Sequence, residues 1–187
     1  MFGLPPIPPF EGLHPIVVHF PIGILLIAWL PMLIAIIDKK RRNAWLASTA
    51  MLLIVGTIAC FAATLTGDAA EDVVATTNAV VDTAIHEHEE AAETARNLFL
   101  ACTLVFLMVW AVANKVSDKK KPTIALAGAI LVAITYTFAA LALANAGHLG
   151  GVLVHGHGVQ APITAPTSMG TVIDGANNET HDDDDDD

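Results

Sequence analysis

Leu13-His14-Pro15-Ile16-Val17-Val18-His19-Phe20-Pro21-Ile22-Gly23 is where a polar arm enters an apolar run that continues to about Ile37. Two histidines and two prolines stand at the mouth of a hydrophobic helix, and Asp38 to Arg42 stand at its far end. About 20 apolar residues suffice for a helix to cross a ~30 Å hydrocarbon core. A histidine at such a boundary costs desolvation unless it hydrogen-bonds or ligates something, which makes His14 and His19 functional-site candidates. Pro15 suits a first helical turn, where its missing N–H costs little. Pro21 frees the carbonyl of Val17 and predicts a bend or restart beside His19.

Outward from this stretch, Trp45–Thr66 and Ile124–Ala146 read as further spans beside Ile16–Ile37. Leu98–Ala113 is shorter, but an amphipathic run upstream lengthens it. The chain is 54% apolar and only 15% charged, with a mean hydropathy of +0.58. That composition excludes a disordered chain and opposes a soluble helical bundle, whose helices would need polar faces. The expected fold is therefore all-α: a four-transmembrane-helix bundle with an external amphipathic helical segment between spans 2 and 3. Residues 1–159 form its single domain. Residues 160–187, rich in Pro, Thr, Gly, Asn and Asp, read as a disordered acidic tail.

Lys39, Lys40, Arg41 and Arg42 lie between spans 1 and 2, and Lys115, Lys119, Lys120 and Lys121 between spans 3 and 4. Eight of the nine basic residues thus fall on one side, which the positive-inside rule makes cytoplasmic. Both termini and residues 67–95 are then external. Span 1 does not read as a cleaved signal peptide, because its charges follow the apolar run. All eight histidines fall on the external side: His14, His19, His86, His88, His148, His155, His157 and His181. So do Asp68, Glu71, Asp72, Asp82, Glu87, Glu89, Glu90 and Glu93. Eight of the 19 acids belong to the tail, leaving 11 acids against nine bases. No basic patch accompanies the histidines, so nucleic acid is not an expected partner.

Gly56 and Cys60, Ala59 and Ala63, and Ala125, Ala129 and Ala133 recur at four-residue intervals and read as packing seams. Cys60 and Cys102 lack a CxxC spacing and read as small apolar residues. Span 2 is expected to end at Gly67, with Asp68-x-x-Glu71 restarting a helix and a turn at Thr76-Thr77-Asn78. Val81, Ile85, His88, Ala92, Ala95 and Phe99 share one helical face. That stripe turns His88 inward and His86 outward. Glu87, Glu89, Glu90 and Glu93 cover the solvated sides, and Glu93 can meet Arg96. After span 4, the glycines of Gly147-His148-Leu149-Gly150-Gly151-Val152-Leu153-Val154-His155-Gly156-His157-Gly158-Val159 are expected to end the helix. An extended continuation would place His155 and His157 on one side.

These pieces resemble a bacterial family of predicted four-helix membrane proteins, catalogued as domain of unknown function number 2231. The resemblance rests on Leu13-His14-Pro15-x-x-Val18-His19-Phe20-Pro21, Gly67, His88-x-x-x-Ala92 and Gly150-Gly151-x-Leu153-Val154-x-x-His157-Gly158, and spans roughly residues 13–159. It implies the four-helix fold, a place in the bacterial cytoplasmic (inner) membrane, and the choice of His14, His19, His88 and His157. The family pattern has an aromatic residue where this chain has His155. The resemblance names no reaction.

Three functions compete for the histidines. Histidines near one membrane surface of a four-helix bundle suit a b-type haem in an electron carrier or redox-complex subunit. His19 and His88 are the first candidate ligands, with His14 and His157 behind them. A zinc or copper site for metal handling would use His19, His88 and His157 with Glu71 or Asp72. A non-catalytic anchoring subunit would use the imidazoles only as hydrogen-bonding groups at span ends. No nucleophile–base pattern recommends an enzyme. No C-x-x-C-H motif is present, so any haem is expected to be non-covalent. The expected partners are the lipid bilayer and an external redox protein or larger membrane complex.

Overall fold

The computed structural model describes residues 7–74, 78–117 and 121–160. Thr76, Thr77 and the tail from 161 onward lie outside the described residues, as does His181. After a 3-10 turn at Phe10–Gly12, the first span runs His14–Ile37 in three pieces: α1 (His14–Val17), α2 (His19–Ile27) and α3 (Trp29–Ile37). Then come α4 (Arg42–Glu71), α5 (Ala79–Lys115) and α6 (Lys121–Gly156). All four spans are long and apolar enough to cross a membrane. The two interruptions of the first span, at Val18 and Ala28, lie three residues before Pro21 and Pro31. Each proline withholds one N–H from the helical ladder, and the restart expected beside His19 is present, with α2 beginning at that residue.

Sequential spans pack antiparallel: α2 and α3 lie on α4, α4 lies on α5, and α5 packs extensively on α6. Leu25, Phe99, Cys102 and Ala139 are wholly buried, with Leu53 and Ala28 nearly so. Gly56 lets Leu25 seat directly on α4, and Gly128 lets Val109 seat on α6; a Cβ at Gly56 would lie 2.5 Å from the Leu25 side chain. Without water in the surroundings, such close packing and interhelical hydrogen bonds hold helices together. The Thr57 and Thr103 hydroxyls bond at 2.9 Å, Tyr136 donates to the Leu25 carbonyl, and the Phe99 and Tyr136 rings meet edge to face. At the basic end, Trp45 Nε1 and the Arg41 N–H donate to the Asp38 carboxylate, and Arg42 Nε donates to the Ala35 carbonyl, closing the short α3–α4 turn. Ile37, Met51, Ile58, Leu104 and Leu141 point outward, as lipid-facing residues would.

Two expected helix ends are corrected. Gly67 does not close span 2: α4 continues through it to Glu71, so Asp68-x-x-Glu71 is the last turn of that helix and not a restart. Gly147, Gly150 and Gly151 do not end span 4 either: α6 runs through them to Gly156, and it is there, with Gly158 at a φ of 70° just beyond, that glycines close the helix. His155 is therefore helical and His157 lies just past the helix end, so the two do not share an extended segment. Glycine costs a helix about 1 kcal/mol in isolation. Pairing with α5 over the full length of α6 offsets that cost, and glycine is commoner in membrane helices than in soluble ones. The segment before span 3 is one continuous helix with it, capped where Asn78 accepts from the Val80 N–H.

Candidate functional site

The bundle brings His14 and His88 together. His14 opens the first span, 23 residues before Ile37, or about 35 Å of helix. It therefore sits at the end of the bundle away from the Asp38–Arg42 turn. His88 reaches the same level from α5, and the two rings lie 6.2 Å apart between centroids, at 79° to one another. Both are half-buried.

Each imidazole is held by a different neighbouring helix. His14 Nδ1–H donates to the Ala63 carbonyl on α4 at 3.0 Å, with Thr66 Oγ1 at 3.4 Å. His88 Nδ1–H donates to the Ala146 carbonyl on α6 at 3.0 Å. A carbonyl only accepts, so Nδ1 carries the proton in both rings and Nε2 keeps its lone pair when the ring is neutral. The glycine one turn beyond each carbonyl faces the same ring. A Cβ on Gly67 would lie 3.2 Å from His14 Cε1, and one on Gly150 would lie 3.0 Å from His88 Cε1. Four spans thus build one site: two supply imidazoles, and two supply the carbonyl and the space.

The other histidines stand elsewhere. His19 is exposed, one turn beyond His14 and on the outside of its helix, and the structure does not bring it to His88. His86 is exposed beside Glu89 and Glu90, as the sequence stripe requires. His148 and His155 are exposed on α6. His157 is also exposed and lines a groove of about 480 Å³ between α5 and α6, with Thr83, Glu87 and Val152. Glu71 and Asp72 are exposed at the end of α4. Among the described residues, no three His, Cys, Asp or Glu side chains converge as a metal ligand set.

Below the histidine pair, Arg96 occupies the α4–α5 seam. It donates to Thr64 Oγ1 at 3.2 Å and to Glu93 at 3.0 Å, and its guanidinium lies 5.1 Å from the centre of the Phe61 ring. The sequence pairing of Glu93 with Arg96 holds; the tie to Thr64 was not legible. Nor were the roles of Gly67 and Gly150. The signal that could have revealed them is a shared spacing, Ala63-x-x-x-Gly67 and Ala146-x-x-x-Gly150, near the end of each even-numbered span.

No curated protein and no solved structure matches the chain. Residues 11–162 match the model of the family described as predicted membrane protein, DUF2231, and by that match over most of its length the chain belongs to this family.

Proposed function

We propose that the protein is a membrane-embedded electron carrier or redox-complex subunit that holds one b-type haem between His14 and His88. The observation that carries this reading is the pair of Nε2 atoms left free by two Nδ1–H···O=C bonds, with ring centroids 6.2 Å apart. Two imidazoles this close, on separate spans and each with its Nε2 lone pair unused, could hold one metal atom between them. A haem needs only two protein donors, whereas zinc takes three or four. Two donors are what this site offers. A haem would supply one-electron chemistry there, and the chain's residues would set its terms. The Ala63 and Ala146 carbonyls fix ring orientation and raise ligand basicity, and the apolar spans below limit access of water. Two imidazoles could also hold a monovalent copper ion without further protein ligands, and that is the second reading the same geometry supports.

The site is proposed to face the outside of the bacterial cytoplasmic membrane, because the basic residues flank its other end. Electrons would then pass to an external redox protein or a larger membrane complex. Reporter fusions at Asn43 and after Val159 should show opposite sidedness, with Asn43 cytoplasmic; equal sidedness would contradict this placement.

Haem titration into detergent-solubilised apoprotein tests the reading directly. One equivalent should give a low-spin, six-coordinate spectrum, and copper(I) should compete for the same site if the second reading holds. Non-saturating binding, as to an empty micelle, would count against both. Removal of residues 160–187 should leave occupancy unchanged, since the site is assembled wholly from the four spans. Loss of haem on truncation would place a ligand in the tail.

A further inference from the structure

The histidine site repeats itself. Counting from each histidine, the two odd-numbered spans bury the same positions: Pro21 and Ala95 at seven residues, Leu25 and Phe99 at eleven, Ala28 and Cys102 at fourteen. Counting back from each accepting carbonyl, the even-numbered spans do likewise: Gly56 and Ala139 at seven residues, Thr49 and Val132 at fourteen. Any left-handed bundle shows heptad burial, so these matches alone mean little. The hydrogen bond and the glycine are another matter. In each hairpin the histidine donates from Nδ1 to an alanine carbonyl at 3.0 Å, and the glycine four residues later lets Cε1 of the same ring come so close that a Cβ there would crowd it. Heptad geometry requires neither feature, and both occur in the same register in the two hairpins.

We propose that the chain is an internal duplication of one helical hairpin, related by a pseudo-two-fold axis along the membrane normal. The bound group would sit on that axis, held by His14 and His88 as equivalent ligands, with Ala63–Gly67 and Ala146–Gly150 as equivalent positioning pairs. The placement of the group rests on the haem reading above; the equivalence of the two hairpins does not. Both hairpins start at the same end of the bundle, so the repeat is parallel and not inverted. The symmetry is broken around the site. Arg96, with its bonds to Thr64 and Glu93, corresponds in register to Ile22, and the α4–α5 seam is broad where the first span meets α6 only slightly, at the bond from Tyr136 to the Leu25 carbonyl. A ligand that is symmetric at its metal and polar at one edge suits this arrangement, as a haem with its carboxylates grouped on one side does.

The test uses the full chain in detergent with ¹⁵N-labelled histidine. Without added cofactor, two of the eight histidines should be Nδ1–H tautomers with slowly exchanging protons, identified by their loss in His14→Gln and His88→Gln. Gly67→Ala should move the signals of His14 and leave His88 in place; Gly150→Ala should do the reverse. With haem, each glycine variant should lower affinity by about 10-fold, the scale of a disturbed outer-shell contact, and the two losses should agree. A neutral effect of one glycine variant beside a large effect of the other overturns the equivalence, as does an Nε2–H tautomer at either histidine. Should a glycine variant fail to fold, the two glutamine variants are compared instead, and equal loss of haem is required. Correct tautomers and selective shifts without haem binding would uphold the duplication and defeat the haem reading. Haem binding with unequal variants would do the opposite.

Discussion

Replacing His14 or His88 by alanine should empty the site, each lowering haem affinity by more than about 100-fold, because disturbing even an outer-shell partner of a metal ligand costs 10–100-fold. The reason is specific to a two-donor site. His14 and His88 come from separate spans and no third donor group joins them among the described residues, so neither loss can be compensated nearby. His19→Ala, His86→Ala, His155→Ala and His157→Ala should leave occupancy nearly unchanged, since all four residues are exposed while His14 and His88 are the histidines whose rings meet. Exogenous imidazole should restore binding to a His88→Gly variant, which separates a missing ligand from a collapsed bundle. Occupancy should also fall as the solution is acidified, since ligation requires unprotonated Nε2. Optical titration of each purified variant, at matched helicity, measures these differences. Equal losses at His88 and His86 would refute the placement of the α5 face.

The second large effect is on the bundle itself. Gly56 and Gly128 are the points where side chains of a neighbouring span rest on the backbone of α4 and α6: Leu25 on the first, Val109 on the second. Gly56→Val or Gly128→Val should destabilise the fold by about 1–3 kcal/mol, the usual cost of overpacking a tight interface. Neither Leu25 nor the branched Val109 can retreat easily, since Leu25 is fully buried and Val109 sits on the α5–α6 seam. Gly23→Val, by contrast, should be nearly neutral, because a Cβ there meets nothing within 4 Å. Thermal unfolding in detergent, followed by circular dichroism, checks the contrast. Similar melting for all three variants would contradict the assigned seams.

Much of this architecture was legible from residue order alone. The apolar runs gave four spans, and the stripe through Ile85, Ala95 and Phe99 correctly turned His88 inward and His86 outward, because helical periodicity fixes direction within one helix. What periodicity cannot fix is which side chains of different helices arrive at one point. His19 is the histidine closest to the Pro21 break, yet it lies beyond His14 on the exposed side of its helix. His14 faces α4 and meets the Ala63 carbonyl. The glycines misled in a related way. Gly67 and Gly150 read as helix ends by their soluble-protein preferences, whereas in this bundle both stay helical and make room for an imidazole. The proposed repeat of the hairpins is not legible in residue order, because it is carried by burial, one hydrogen bond and one contact per hairpin, and hardly by residue identity.

The absorption spectrum of the protein purified in detergent, oxidised and then reduced, with metal analysis of the same sample, tests the central claim most directly. A bis-histidine haem held by His14 and His88 predicts a Soret band, sharp α and β bands on reduction, and iron near one equivalent per chain, all absent from His14→Ala and His88→Ala. A colourless, metal-free wild-type protein that also fails to take up added haem or copper(I) would contradict it, and would leave the two imidazoles as hydrogen-bonded clamps between the hairpins.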